Sequence, residues 1–98
     1  MEAPKCYVLV RALAPKGDKG KMWVYDMPRI PEVGERIDGE ELSNPGTSWR
    51  CRLVIKDPTT VAMLAAFDAI DEVANQGDVF AVTFCKLLSA IAEGKRVI

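Results

Sequence analysis

Arginines, cysteines and carboxylates are the side chains with which this chain could do chemistry, because its 98 residues include no histidine. Without an imidazole, Ser-His-Asp and Cys-His catalysis are excluded, together with nearly all zinc enzymology. A reaction centre would therefore have to be built from a cysteine or from paired carboxylates.

The three cysteines, Cys6, Cys51 and Cys85, are widely spaced and form no Cys-x-x-Cys motif. An odd number at such spacing argues against a disulfide framework and favours a reducing compartment. Cys6 and Cys51 share strand faces with apolar residues, where a free cysteine commonly acts as a small buried hydrophobe. We therefore predict core cysteines, with no metal site, no cofactor and no catalytic residue.

The clearest strand pattern, residues 48–56, places basic side chains on one face. Its alternation puts Arg50, Arg52 and Lys56 on the side opposite Trp49, Cys51, Leu53 and Ile55. Arg11 joins the basic side if its strand neighbours this one. Small barrels hold nucleic acid on such a face, usually with aromatic rings beside it. The alternative is a solvated outer face, balanced by nearby carboxylates.

Aromatic residues also lie in the predicted strands. Tyr7 has the same parity as Arg11, as a basic face with a stacking ring would need. Trp49 is predicted to lie in the core. Trp23 is a natural anchor for a partner protein if it is exposed.

A cluster of carboxylates, Asp68, Asp71 and Glu72, follows one stripe of a predicted helix. Paired carboxylates can act as acid and base, but no apolar pocket is indicated that would shift their pKa values. We interpret the stripe as a solvated helix face, with an acidic docking surface for a basic partner as the alternative.

The spacing of apolar residues along the chain changes at Asp57. Apolar residues alternate before it and recur every three to four residues after it. Asp57 can cap a helix that begins at Pro58. We predict an α+β domain: a curled antiparallel sheet of three or four strands, at about 6–13, 21–27, 35–37 and 48–56, packed against a C-terminal helical hairpin, at about 58–76 and 78–93.

In the predicted core the helical hairpin covers the sheet. The segment 79–84, taken alone, suits either a helix or a strand. The helices are expected to bury Met63, Phe67, Ile70, Phe80, Phe84, Leu87 and Ile91 against Val8, Val10, Leu53 and Ile55.

Length and charge bound the remaining possibilities. A 98-residue chain is predicted to form a single domain. Residues 1–56 carry 10 basic and 8 acidic side chains, and residues 57–98 carry 3 and 6. The net charge of -1 predicts no general attraction to nucleic acid or membrane. The first residues have no signal-peptide core and the apolar runs are too short to span a bilayer, so the prediction is a cytoplasmic protein.

Residues 23–56 carry a recognisable pattern. Pro28, Pro31, Gly34 and Glu35 form a Pro-x-x-Pro-x-x-Gly-Glu segment between two strand-like runs. This arrangement resembles small uncharacterised bacterial and phage β-barrel proteins. The resemblance implies a hairpin strand that leads through this segment to a strand closing a small curled sheet. It implies no activity and no functional residue, and the helical part after Asp57 departs from it.

Three functions follow from these observations. The leading one is a non-enzymatic module that binds another protein or itself, in one concrete form a small phage or mobile-element inhibitor of a host complex. The second is a nucleic-acid-binding protein with a basic sheet face. The third, an enzyme with a cysteine or carboxylate centre, has the least support.

Overall fold

Four antiparallel strands form one sheet in the computed structural model, which describes residues 4–74, 87–91, 93–94 and 96–98. The order across the sheet is β2-β1-β4-β3, so β1 and β4 lie inside the sheet. The strand bounds are β1 Cys6–Ala14, β2 Met22–Met27, β3 Arg36–Asp38 and β4 Ser48–Ile55.

The sheet curls so that its two edges approach each other. The 3-10 helix Gly39–Leu42 follows β3 at one edge and packs against β2 at the other. Beyond this helix, the Asn44 side-chain amide donates a hydrogen bond of 3.0 Å to the Tyr25 hydroxyl. Gly39 allows the loop to close, because a Cβ there would collide with the carbonyl oxygens of Asn44 and Thr47.

A β-bulge in β4 interrupts the predicted alternation of side chains between the two faces of the sheet. Leu9 pairs with Leu53 but Val10 pairs with Cys51, so Arg52 is an extra residue without a pairing partner. An extra residue reverses which face the following side chains occupy. The prediction that Trp49 and Cys51 share a face with Leu53 and Ile55 is therefore wrong.

Two buried clusters result, one on each face of the sheet. The inner cluster, inside the curl, contains Val8, Val10, Trp49, Cys51 and Val54 among others. Leu53 and Ile55 join the outer cluster with Tyr7 and Leu9. Val8 and Val10 thus lie on the face away from the helix, contrary to the prediction.

The helix α1, Pro58–Ala74, begins as predicted. The Asp57 carboxylate accepts hydrogen bonds from the backbone N–H and the hydroxyl of Thr60, at 2.9 and 2.8 Å. These hydrogen bonds lower the pKa of Asp57. Capping of this kind satisfies donors that a helix start leaves free.

The face that α1 buries differs from the predicted one. Val61 and Leu64 are buried in the outer cluster, whereas Met63 and Phe67 are 56% and 39% exposed. The first half of α1 is apolar nearly all round, so periodicity could not select the buried stripe. Packing against the outer cluster selects the stripe that contains Val61 and Leu64.

The C-terminal residues complete the outer layer. Leu88 is buried and Ile91 half-buried in the outer cluster, but Leu87 is 55% exposed, contrary to the prediction. The last residues run parallel to β4, with hydrogen bonds of Val54 to Arg96 and Ile98. Residues 87–91 are helical, and residue 93 is in a turn. Residues 78–86 of the predicted second helix, which include Phe80, Phe84 and the segment 79–84, lie outside the described residues, as does the side chain of Ile70. In the described part of the chain, no helix has the length and apolar character needed to cross a membrane.

Candidate anion-binding face

Three arginines lie directly opposite one another on adjacent strands of the outer sheet face. Arg11 of β1 pairs with Arg50 of β4, and Arg50 pairs with Arg36 of β3. Paired residues on antiparallel strands point to the same face, with Cβ atoms about 4.5–5.5 Å apart. We call Arg11, Arg50 and Arg36 the arginine row.

Neighbouring groups hold two of these side chains in place. The Arg50 guanidinium donates a 2.9 Å hydrogen bond to the carbonyl oxygen of Gly34, and Arg36 donates one of 2.9 Å to the Ser48 hydroxyl. The Arg11 side chain has no hydrogen-bond or ion-pair partner among the described residues. Both acceptors are neutral, so neither hydrogen bond cancels the charge of the row.

A cleft of about 540 Å³ opens beside Arg11, between the sheet and the C-terminal segment. The bulge places Arg52 in its wall, and the chain after the short helix brings Arg96 to the same place. Among the described residues that line the cleft, Glu93 adds a carboxylate beside these three cations. The rest of the lining is formed by Gly20, Met22 and Ser89.

Two carboxylates that lie near β3 in sequence are already used elsewhere. Arg29 donates a 2.6 Å hydrogen bond to Glu35 and a 2.9 Å hydrogen bond to Glu41. These hydrogen bonds from Arg29 lower the pKa of both carboxyl groups. Both carboxylates are thus paired with Arg29, which lies in the segment that joins β2 to β3.

Of the predicted basic residues, the structure brings Arg11, Arg50 and Arg52 together and separates Lys56 from them. Lys56 lies just past the end of β4, beside Pro58 and Val61. Six residues of extended chain place it roughly 15–20 Å from Arg50. Val54, predicted on the same basic face, is buried in the inner cluster because of the bulge.

The predicted aromatic residues are also redistributed. Tyr7 shares the outer face with Arg11, but it is buried in the outer cluster and has no open surface for stacking. This burial, with the charges of Asp68 and Asp26, raises its pKa to about 12. Trp49 is buried as predicted. Trp23 is half-buried on the opposite face.

The predicted acidic stripe is described only in part. Asp68 is exposed on α1. Asp71 and Glu72 lie in the same helix, but their side chains are outside the described residues.

The described cysteines are core residues. Cys6 and Cys51 are fully buried, while Cys85 lies outside the described part of the chain. Burial raises the pKa of the Cys6 thiol, and it raises that of Cys51 to about 11. A thiol with a raised pKa is a poor nucleophile at neutral pH. Within the described ranges, no group of three or more Cys, Asp and Glu residues could hold a metal ion.

Sequence reasoning missed Arg36 and Arg96. Arg36 falls in a predicted strand, but only the pairing register reveals that it stands opposite Arg50. Arg96 reaches the cleft because residues 96–98 pair with β4, a contact that leaves no signal in the local sequence.

Fold and site together define a small α+β domain with a localised basic surface on a curled sheet. Comparisons with protein-family models, curated proteins and solved structures return no match. The function has to be inferred from the geometry of this surface.

Proposed function

We propose that this protein binds the sugar–phosphate backbone of a nucleic acid on the arginine row. The observation that carries the proposal is the direct cross-strand pairing of Arg11 with Arg50 and of Arg50 with Arg36. Like charges directly opposite each other destabilise a sheet. A bound polyanion removes this repulsion, and arginine suits phosphate because its planar fork can donate two parallel hydrogen bonds.

The setting of the row supports a ligand that extends beyond one phosphate. The row crosses three strands, so its ends are roughly 10 Å apart. Arg52 and Arg96 continue the positive charge around Arg11 into the adjoining cleft. Because the net charge is -1, attraction of a polyanion is expected to be local, at the five arginines of the row and the adjoining cleft.

The test is fluorescence anisotropy with labelled single-stranded DNA and RNA over a series of salt concentrations. For single strands, the logarithm of the binding constant should fall with the logarithm of salt with a slope of about -0.7 per phosphate contact. The variant Arg11→Gln with Arg50→Gln should bind more weakly, with a shallower slope. Lys56→Gln is the matched control, since it removes a cation from a distant part of the surface.

Absence of binding at low salt, or equal weakening by Lys56→Gln, would refute the proposal. Tighter binding of an acidic peptide than of an oligonucleotide would instead identify the row as a protein interface.

A protein-binding function has separate support from an apolar surface elsewhere. Ile30, Val33 and Val97 are exposed large hydrophobic residues around a cleft of about 430 Å³. Clustered exposed apolar side chains are typical of interaction sites. This surface is the second candidate, and light scattering of Ile30→Ser with Val33→Ser tests its self-associating form.

A further inference from the structure

A second cleft, of about 410 Å³, lies at the end of the sheet where β2 begins and has aromatic walls. The Tyr25 and Trp49 rings meet edge to face, with centroids 5.5 Å apart and planes at 69°. Trp23 forms a third wall and is half-buried. The remaining lining is provided by Lys21, Met22, Asn44 and Thr47.

The polar groups of this aromatic cleft hold the rings in place. The hydrogen bond from Asn44 to the Tyr25 hydroxyl ties the edge strand β2 to the loop that follows the 3-10 helix. The same loop is closed by hydrogen bonds of Gly39 to Thr47 and Asn44, of 2.7 and 2.8 Å. The rings are therefore positioned by the curl of the sheet before any ligand binds.

One of the rings also carries an unused donor. Trp49 is only 5% exposed, and its buried indole N–H has no acceptor among the described residues. Buried donors without a partner are rare in folded proteins. Trp49 lines the aromatic cleft, so a ligand with a hydrogen-bond acceptor could supply this partner.

The aromatic cleft adjoins the basic cleft. Met22, which pairs with Arg11 at the start of β2, lines both of them. The clefts lie on opposite faces of the sheet and meet around this edge strand. A chain that passes over the edge can thus place a phosphate on one side and a ring on the other.

We propose that the aromatic cleft binds an unpaired base of the same nucleic acid whose phosphates contact the arginine row. This inference rests on the proposed function and specifies the ligand as single-stranded. Stacking on fixed aromatic rings tolerates any base, because each base has a π-face. A base inside a duplex is already stacked and paired, so the interior of a duplex is expected to bind only through the row.

The experiment compares an oligonucleotide with an abasic one of equal length and charge. Trp23→Leu removes the half-buried ring and retains apolar volume at its position, and its melting temperature verifies that it folds. Phe67→Leu, on α1, is the matched control for loss of an aromatic ring. Both tryptophans of the chain line the cleft, so intrinsic fluorescence reports directly on its occupancy.

We expect the wild type to bind the oligonucleotide roughly 5- to 150-fold more tightly than the abasic chain, with quenching of tryptophan fluorescence. Trp23→Leu should abolish this difference and leave abasic binding unchanged, whereas Arg11→Gln with Arg50→Gln should weaken both. Phe67→Leu should change neither.

Equal affinity of the wild type for both oligonucleotides would overturn the inference and leave the proposed function intact. If neither binds, the proposed function fails, and titration with free adenosine decides the inference. Saturable quenching of the wild-type tryptophan fluorescence by adenosine would preserve a base-binding cleft, and unchanged fluorescence would overturn it.

Discussion

The outer face of the sheet has two halves that differ in what covers them. At one end, Tyr7, Leu9, Leu53 and Ile55 are buried beneath α1 and the C-terminal segment. At the other end, Arg11 of β1, Arg50 of β4 and Arg36 of β3 lie on the same face and are exposed. Burial of apolar area stabilises the fold, whereas a row of like charges opposes it. The first half is thus expected to stabilise the fold, and the second half carries the proposed binding surface.

The largest effect that sharpens this comparison is expected from Leu53→Ala. Leu53 is fully buried in the outer cluster. Removing such a side chain costs about 2–5 kcal/mol of unfolding free energy, through lost burial and a residual cavity. Urea denaturation should show this loss. Arg50→Ala, on the same strand, should change stability by less than about 0.5 kcal/mol. Equal losses would erase the distinction between the halves.

The second-largest effect is expected at alkaline pH, which should lower the stability of the covered half. The pKa of Tyr7 is raised to about 12, first by burial and then by Asp68 and Asp26. Since the folded state holds this proton more tightly than the unfolded state, the stabilisation is complete below about pH 10 and is lost as pH rises toward 12.

Absorbance titration of a Tyr25→Phe variant isolates the Tyr7 phenol for this measurement. Asp68→Asn should lower its pKa, because a negative charge that opposes ionisation is removed. A Tyr7 phenol that titrates at its ordinary value, near 10, would show that α1 does not seal this half.

The smallest effect is expected from Arg11→Glu in the open half. The substitution turns the repulsion between Arg11 and Arg50 into an attraction, so stability should rise by about 0.2–1 kcal/mol. Thermal denaturation at low and high salt measures the gain, which salt should reduce. Binding of an oligonucleotide should fall in the same variant. Loss of stability at low salt would mean that the row is not a source of repulsion.

The sequence predicted the strands closely because alternation and turn residues are local signals. The four predicted segments match the observed strands to within a residue at either end. The cap at Asp57 was equally visible, since it needs only a side-chain oxygen three residues before its donor. These features depend on neighbours in the chain, which the sequence shows directly.

The candidate site was predicted in part. Arg11, Arg50 and Arg52 were identified by type and parity, but Lys56 was placed with them because the bulge at Arg52 is invisible to a strict alternation. Arg36 was missed because the sequence does not state which residue of β3 stands opposite Arg50. A bulge and a register arise from pairing between distant segments.

By itself, the sequence determined the β layer, the start of α1, the absence of imidazole chemistry and the burial of Cys6 and Cys51. Only the tertiary structure decided which stripe of α1 is buried, which strand residues share a face, and that three arginines stand in one row. The reason is physical: local patterns fix the direction of each side chain relative to its own element. Strand pairing and helix roll are then chosen by the packing of the whole chain.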